Sequence, residues 1–127
     1  MKTLVAAAAV ALCLVATTAR AADLPADVQA NLQSSMHGYL DSVSVGGAYR
    51  FLDPTTSKVT VLYPANTHPM VLGFGDDFFV CSDMVDESGT SHTADFLVRR
   101  FGEEYRVVQM LVGQRAVVEA AMKAAGK

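Results

Sequence analysis

The chain has 127 residues, 51% of them apolar and 18% charged, with 13 acidic against 10 basic side chains and a formal charge of −3. That balance excludes a phosphate-backbone binder, which needs clustered Lys and Arg, and the length suits a single domain with its own core. Two cysteines, Cys13 and Cys81, cannot make the disulfide framework of a small secreted scaffold.

Met1 to Ala21 reads as a cleavable signal peptide: a basic Lys2, an unbroken apolar run from Leu4 to Ala16, and small residues at Ala19 and Ala21. The run stops short of the roughly 20 residues a spanning helix needs, so no membrane span is expected after cleavage. The expected organisation is 1–21 signal and 22–127 a single α+β domain, periplasmic or secreted. Cleavage before Ala22 leaves 106 residues with 8 basic and 13 acidic side chains, a charge of −5, and Cys81 as the only thiol. A lone thiol in an oxidising compartment is a buried small hydrophobe, an inter-chain link or a reactive group.

Val28, Leu32, Met36, Tyr39, Leu40 and Val43 form the stripe of one long amphipathic helix. Asp23 suits its N-cap, Pro25 its first turn, and Gly46 and Gly47 its end. From Ala48 the period becomes two. Ala48–Leu52 and Lys58–Tyr63 read as a hairpin around Pro54, Pro64–Pro69 as a loop, and Met70–Phe74 as a short strand or packed loop. Asp77–Asp86 and Ser91–Arg100 are the clearest hairpin, followed by a strand over Tyr105–Val112. Arg115–Ala125 then places Val117, Val118, Ala121 and Met122 on one side of a short helix.

The fold class expected is therefore α+β: a long N-terminal helix packed on a curved antiparallel meander of four to five strands, with a short C-terminal helix. This order of elements over Asp23–Val112 resembles the cystatin-like and NTF2-like superfolds. The resemblance implies a helix wrapped by the sheet; it transfers no functional residue, because such architectures host enzymes, binding modules and dimerisation domains alike.

A three-residue turn with a bulge at Gly89 would set Met84 opposite His92, Ser82 opposite Ala94 and Cys81 opposite Asp95; a two-residue turn would shift the pairing by one. With the longer turn, one face holds Phe78, Val80, Ser82, Met84, His92, Ala94, Phe96 and Val98. The other holds Phe79, Cys81, Asp83, Val85, Thr93, Asp95, Leu97 and Arg99. Both are rich in apolar residues, so the face the helices do not cover is expected to meet a second subunit, a ligand or another part of the sheet.

Cys81, Asp83 and Asp95 are the candidate ligand-binding cluster. Carboxylates among apolar neighbours must be paired, hydrogen-bonded or raised in pKa, and Asp83 or Asp95 could serve as a general base on a carbon acid. The structural alternative has them accept from Thr93, Arg99 or backbone amides. His68, Met70, Cys81 and His92 supply the soft and imidazole ligands a copper site would draw on. His37 and Asp41, four apart on the helix, form a solvated pair. No G-x-S-x-G, C-x-x-C or phosphate loop occurs, and no cofactor is implied.

The leading expectation is an exported, non-enzymatic domain that binds a small apolar ligand or a protein partner, as a homodimer. Its rivals are an NTF2-like enzyme with an Asp base in an apolar pocket, and a periplasmic copper-handling protein.

Overall fold

The computed structural model describes residues 23–126, so the signal segment expected over 1–21 lies outside the described residues. Helix α1 spans Ala26–Val43, and the spacing of Leu32, Met36 and Leu40 buries one stripe of it. Val28 and Tyr39 pack at the margins of that stripe, while Val43 is largely exposed. The cap differs from expectation. Pro25 itself holds the cap position in extended backbone, with no side-chain cap bond. Asp23 lies too far upstream to serve, whereas Asp27 does sit in the first turn, where a carboxylate meets the positive end of the dipole.

The helix also ends before the glycines. Ser44–Val45 forms a two-residue strand β1, and Gly46 and Gly47, both at positive φ, make the turn into β2, Ala48–Asp53. They close a hairpin instead of capping the helix.

Strand β3 runs over Lys58–Thr67, past the expected loop at Pro64. A proline is tolerated there because β2 pairs only as far as Leu62, leaving the outer side of β3 open, and because a bulge between Pro64 and Thr67 breaks the ladder to the next strand. After the turn at His68–Val71 the chain rejoins the same sheet edge as β4, Leu72–Phe74. Strand β5, Asp77–Asp86, therefore pairs with β3 along one half and β4 along the other. Strands β6, Ser91–Phe101, and β7, Glu104–Val112, complete an antiparallel sheet of seven strands in the order β1-β2-β3-β5-β6-β7, with β4 beside β5. The meander is as expected; it is longer than the four to five strands read from the sequence.

The β5–β6 register places Cys81 opposite Asp95, Ser82 opposite Ala94 and Met84 opposite His92. The three-residue turn sets it: Asp86 N donates to Thr90 O at 2.9 Å, Gly89 N donates to Asp86 O at 3.0 Å, and Gly89 takes φ +85°.

Both faces of this hairpin are covered, by different helices. Val80, Met84, Ala94, Phe96 and Val98 pack against Leu32, Met36 and Leu40 of α1. The sheet curls around that helix, since strands from both of its ends, β1 and β7, reach α1. Phe79 and Leu97 on the other face pack against Val118 and Met122 of α2, Arg115–Ala125, together with Leu72 and Leu111. A second subunit is thus not needed to cover this part of the second face. Val117 turns outward from α2, leaving Val118 as the buried anchor.

Candidate functional site

On the α2 face, the alternation of β5 and β6 brings Cys81, Asp83 and Asp95 together, as their spacing implied. Two further groups join them. His68 arrives because the bulge in β3 turns it toward Cys81: its backbone N–H donates to Cys81 O at 3.0 Å. The Nε2 amides of Gln29 and Gln33 on α1 donate to Pro69 O at 2.5 Å and His68 O at 3.4 Å, pinning that turn from the opposite side of the sheet. Arg115, the first residue of α2, enters over Asp95 because Gly113 N donates to Thr93 O at 2.9 Å and ties the start of the helix to β6.

The side chains form a chain of three, Cys81, His68 and Asp83, beside a pair, Arg115 and Asp95. His68 Nδ1 lies 3.0 Å from Cys81 Sγ, and His68 Nε2 lies 3.0 Å from Asp83 Oδ1. Arg115 Nη2 stands 2.9 Å from Asp95 Oδ1, out of line for a hydrogen bond, so neither oxygen of this fully buried carboxylate receives an aligned donor among the described residues. Cys81 is 4% exposed, while the side chains of His68 and Arg115 are each 34% open and that of Asp83 28%. Thiol and Asp95 form the floor; imidazole, Asp83 and guanidinium form the rim.

Burial pushes the Cys81 thiol up; the Arg115 guanidinium pulls it down, and the Asp95 and Asp83 carboxylates add to the rise. Burial likewise raises Asp95 against the opposing pull of Arg115 and then His68, with Glu119 on α2 pushing the same way as burial. Desolvation of the charged form outweighs the nearby cations in both cases.

Asp83 and Asp95 do not use the partners expected for them. Arg99 is held by Asp77, whose two oxygens accept from its Nε and Nη2 at 2.6 and 2.9 Å. Asp83 meets His68 instead, and Asp95 meets Arg115. Nothing in the local pattern around residue 95 announces an arginine twenty positions downstream. The helical stripe predicted for Arg115–Ala125 puts Arg115 at the start of a helix but does not say which face of the sheet that helix covers.

The four residues weighed for copper do not gather. His68 and Cys81 are neighbours, Met70 is 48% exposed, and His92 lies on the α1 face bonded to Asp86, its Nε2 2.8 Å from Oδ2. The two nitrogens of His68 also address two different groups. No three His, Cys, Asp or Glu side chains among the described residues are placed to hold one metal ion. His37 likewise leaves Asp41 for the sheet, its Nε2 lying 3.2 Å from Thr67 Oγ1.

An open cleft of about 450 Å³ lies elsewhere, between the β2–β3 hairpin and the β7–α2 link, lined by Phe51, Lys58, Thr60, Asp86, His92 and Gln114 among others. It does not reach Cys81 or Asp95. No helix among the described residues is long and apolar enough to cross a membrane. Compared with family models, curated proteins and solved structures, the chain matches none.

Proposed function

We propose that this is an exported interaction domain, periplasmic or secreted, that pairs with a second copy of itself through the part of the second sheet face that α2 leaves bare. The observation that carries the reading is an apolar strip on β1, β2 and β3. Val45, Leu52, Val59 and Tyr63 are 86%, 66%, 64% and 42% exposed. Leu52 and Val59 are direct cross-strand partners, as are Arg50 and Val61, and Val45 pairs with Ala48 on the same face. A group of exposed apolar side chains on one face marks a contact site more often than an isolated one does.

A second copy is the occupant that fits best. A two-fold contact uses one patch twice and so requires self-complementarity. Exposed Arg50 stands within the strip, between Ala48 and Leu52 on the same face of β2, and exposed Glu87 lies at the β5–β6 turn. Two strips related by a two-fold axis can set each cation against the other copy's anion. The 450 Å³ cleft, rimmed by Asp53, Lys58, Asp86, His92 and Gln114, is too polar to favour a small apolar ligand as the main partner. Export is supported by the order of basic, apolar and small residues over 1–21.

Protein recovered from the periplasm of an expressing bacterium is expected to begin at Ala22 and to show twice the monomer mass by light scattering. Leu52→Glu is expected to give the monomer with its circular dichroism unchanged. A wild-type monomer at about 100 μM, a concentration at which even a weak interface of about 1,200 Å² would be populated, would overturn the pairing.

A further inference from the structure

The sequence pattern favours a domain without catalysis, yet the groups assembled on the α2 face form a complete nucleophile set. We infer that Cys81, His68 and Asp83 constitute a thiol site for acyl transfer, which takes a short acyl group from an ester or thioester and passes it to water.

The geometry assigns a role to each atom. Asp83 Oδ1, an acceptor, lies 3.0 Å from His68 Nε2, so the proton of the neutral imidazole belongs on Nε2. The lone pair of Nδ1 is then left facing Cys81 Sγ at 3.0 Å, where it can accept the thiol proton. Nucleophile, base and orienting carboxylate thus follow one another at hydrogen-bond distance, which is the arrangement that activates a cysteine or serine. Asp83 is a positioning residue here. The general base moves from the aspartates, where the sequence reading put it, to His68.

A buried thiol raised in pKa stays protonated at neutral pH, so the thiolate forms during attack instead of beforehand. Sγ attacks the carbonyl carbon as its proton passes to Nδ1. The new C–S bond replaces the bond to the leaving alcohol or thiol, which departs with the proton from His68. Water then gives a proton to Nδ1 while its oxygen attacks the thioester carbon; the carboxylic acid is released and Sγ recovers the proton. No oxidant or further reactant is needed.

The surroundings limit the substrate. Phe79, Leu97, Val118 and Met122 fill the face beside the site, leaving no trough for a long acyl chain. Approach is from the solvent-open rim of His68, Asp83 and Arg115. Arg115 stands 2.9 Å from Asp95, the cross-strand partner of Cys81, and its guanidinium supplies a cation for the oxyanion that develops on the attacked carbonyl. The charged groups facing the thiol and imidazole are Asp83 on β5, Asp95 on β6, and Arg115 with Glu119 on α2.

The test uses the exported protein with p-nitrophenyl acetate and iodoacetamide. An initial burst of nitrophenol, one acetyl group per chain by mass spectrometry on Cys81, and turnover above buffer are expected. Cys81→Ser is expected to lose the burst while remaining folded. His68→Gln is expected to slow alkylation of Cys81 by at least tenfold and to remove an inflection from its pH profile. Asp83→Asn should lower both rates, with Asp83→Glu restoring part of the loss, which a residue that only supports the fold would not do. Because Val59→Lys should be monomeric yet retain the burst, failure here is separable from failure of the pairing. A folded protein that gives no burst, carries no acetyl group on Cys81 and shows no effect of His68→Gln on the rate at which Cys81 is alkylated would overturn the assignment.

Discussion

Asp86 closes the β5–β6 turn with both carboxylate oxygens in use. Its Oδ1 accepts from Ser88 N at 2.9 Å, Ser88 Oγ at 2.6 Å and Thr90 N at 3.0 Å, and its Oδ2 accepts from His92 Nε2 at 2.8 Å. His92, then the Ser88 hydroxyl and the Thr90 amide, hold this carboxyl far below the usual carboxylate range. A depressed folded-state pKa contributes stability that is present above the unfolded value near 4 and lost as pH falls through the folded one. Asp86→Ala is therefore expected to lower the unfolding temperature at neutral pH and to leave a smaller difference in strong acid. Asp95 has the opposite sign: its raised pKa favours the folded protein at low pH and weakens it as pH climbs through that value. Urea unfolding of Asp95→Asn should show a gain over wild type that grows with pH. Arg115→Met should cost about 3 kcal/mol, the lower end for breaking a buried pair, because the arginine is one-third open. The turn over Glu87 to Thr90 was legible from its Ser and Gly, whereas Asp86, read as the last residue of its strand, shows its grip on that turn only in the structure. The Arg115–Asp95 pair was not, since only tertiary packing of α2 brings it about.

At the level of elements, alternation in Asp77–Asp86 and Ser91–Arg100 was enough to assign both faces, because the side-chain period of two is enforced wherever a face is buried. Phe96 is the largest side chain fully buried between that sheet and α1, edge-on to Tyr39 with ring centroids 6.2 Å apart. Phe96→Ala is expected to cost about 3–5 kcal/mol in chemical denaturation, a large share of the stability of a domain this size. The course of β3 was misread for a physical reason. Pro64 and Pro69 punctuate a sequence as loop residues, but a strand whose outer side has no partner can carry a proline at a bulge. That same bulge delivers His68 to Cys81, so the point at which local reasoning failed is the one that builds the candidate site. The two helices were legible singly; that they lie on opposite faces was not, because amphipathicity states that a face is buried and not against what.

For the whole molecule, α1 and α2 cover the core of the sheet, and of the large apolar side chains left exposed on it, Val45, Leu52, Val59 and Tyr63 gather on β1 to β3, while Phe101 and Val108 stand apart on β6 and β7. The expectation that a second face would need a partner thus contracts to one wing, β1 to β3. Residues on a two-fold axis lie beside their own copies, so a single cysteine placed there reports the contact covalently. The most direct measurement is oxidative cross-linking of Val59→Cys in a Cys81→Ser background, with Val117→Cys on the exposed side of α2 as the reference. The pairing predicts rapid formation of a disulfide-linked dimer by Val59→Cys, independent of dilution over the range where light scattering shows a dimer, and little from Val117→Cys. Equal, slow and concentration-dependent cross-linking at both positions would contradict it.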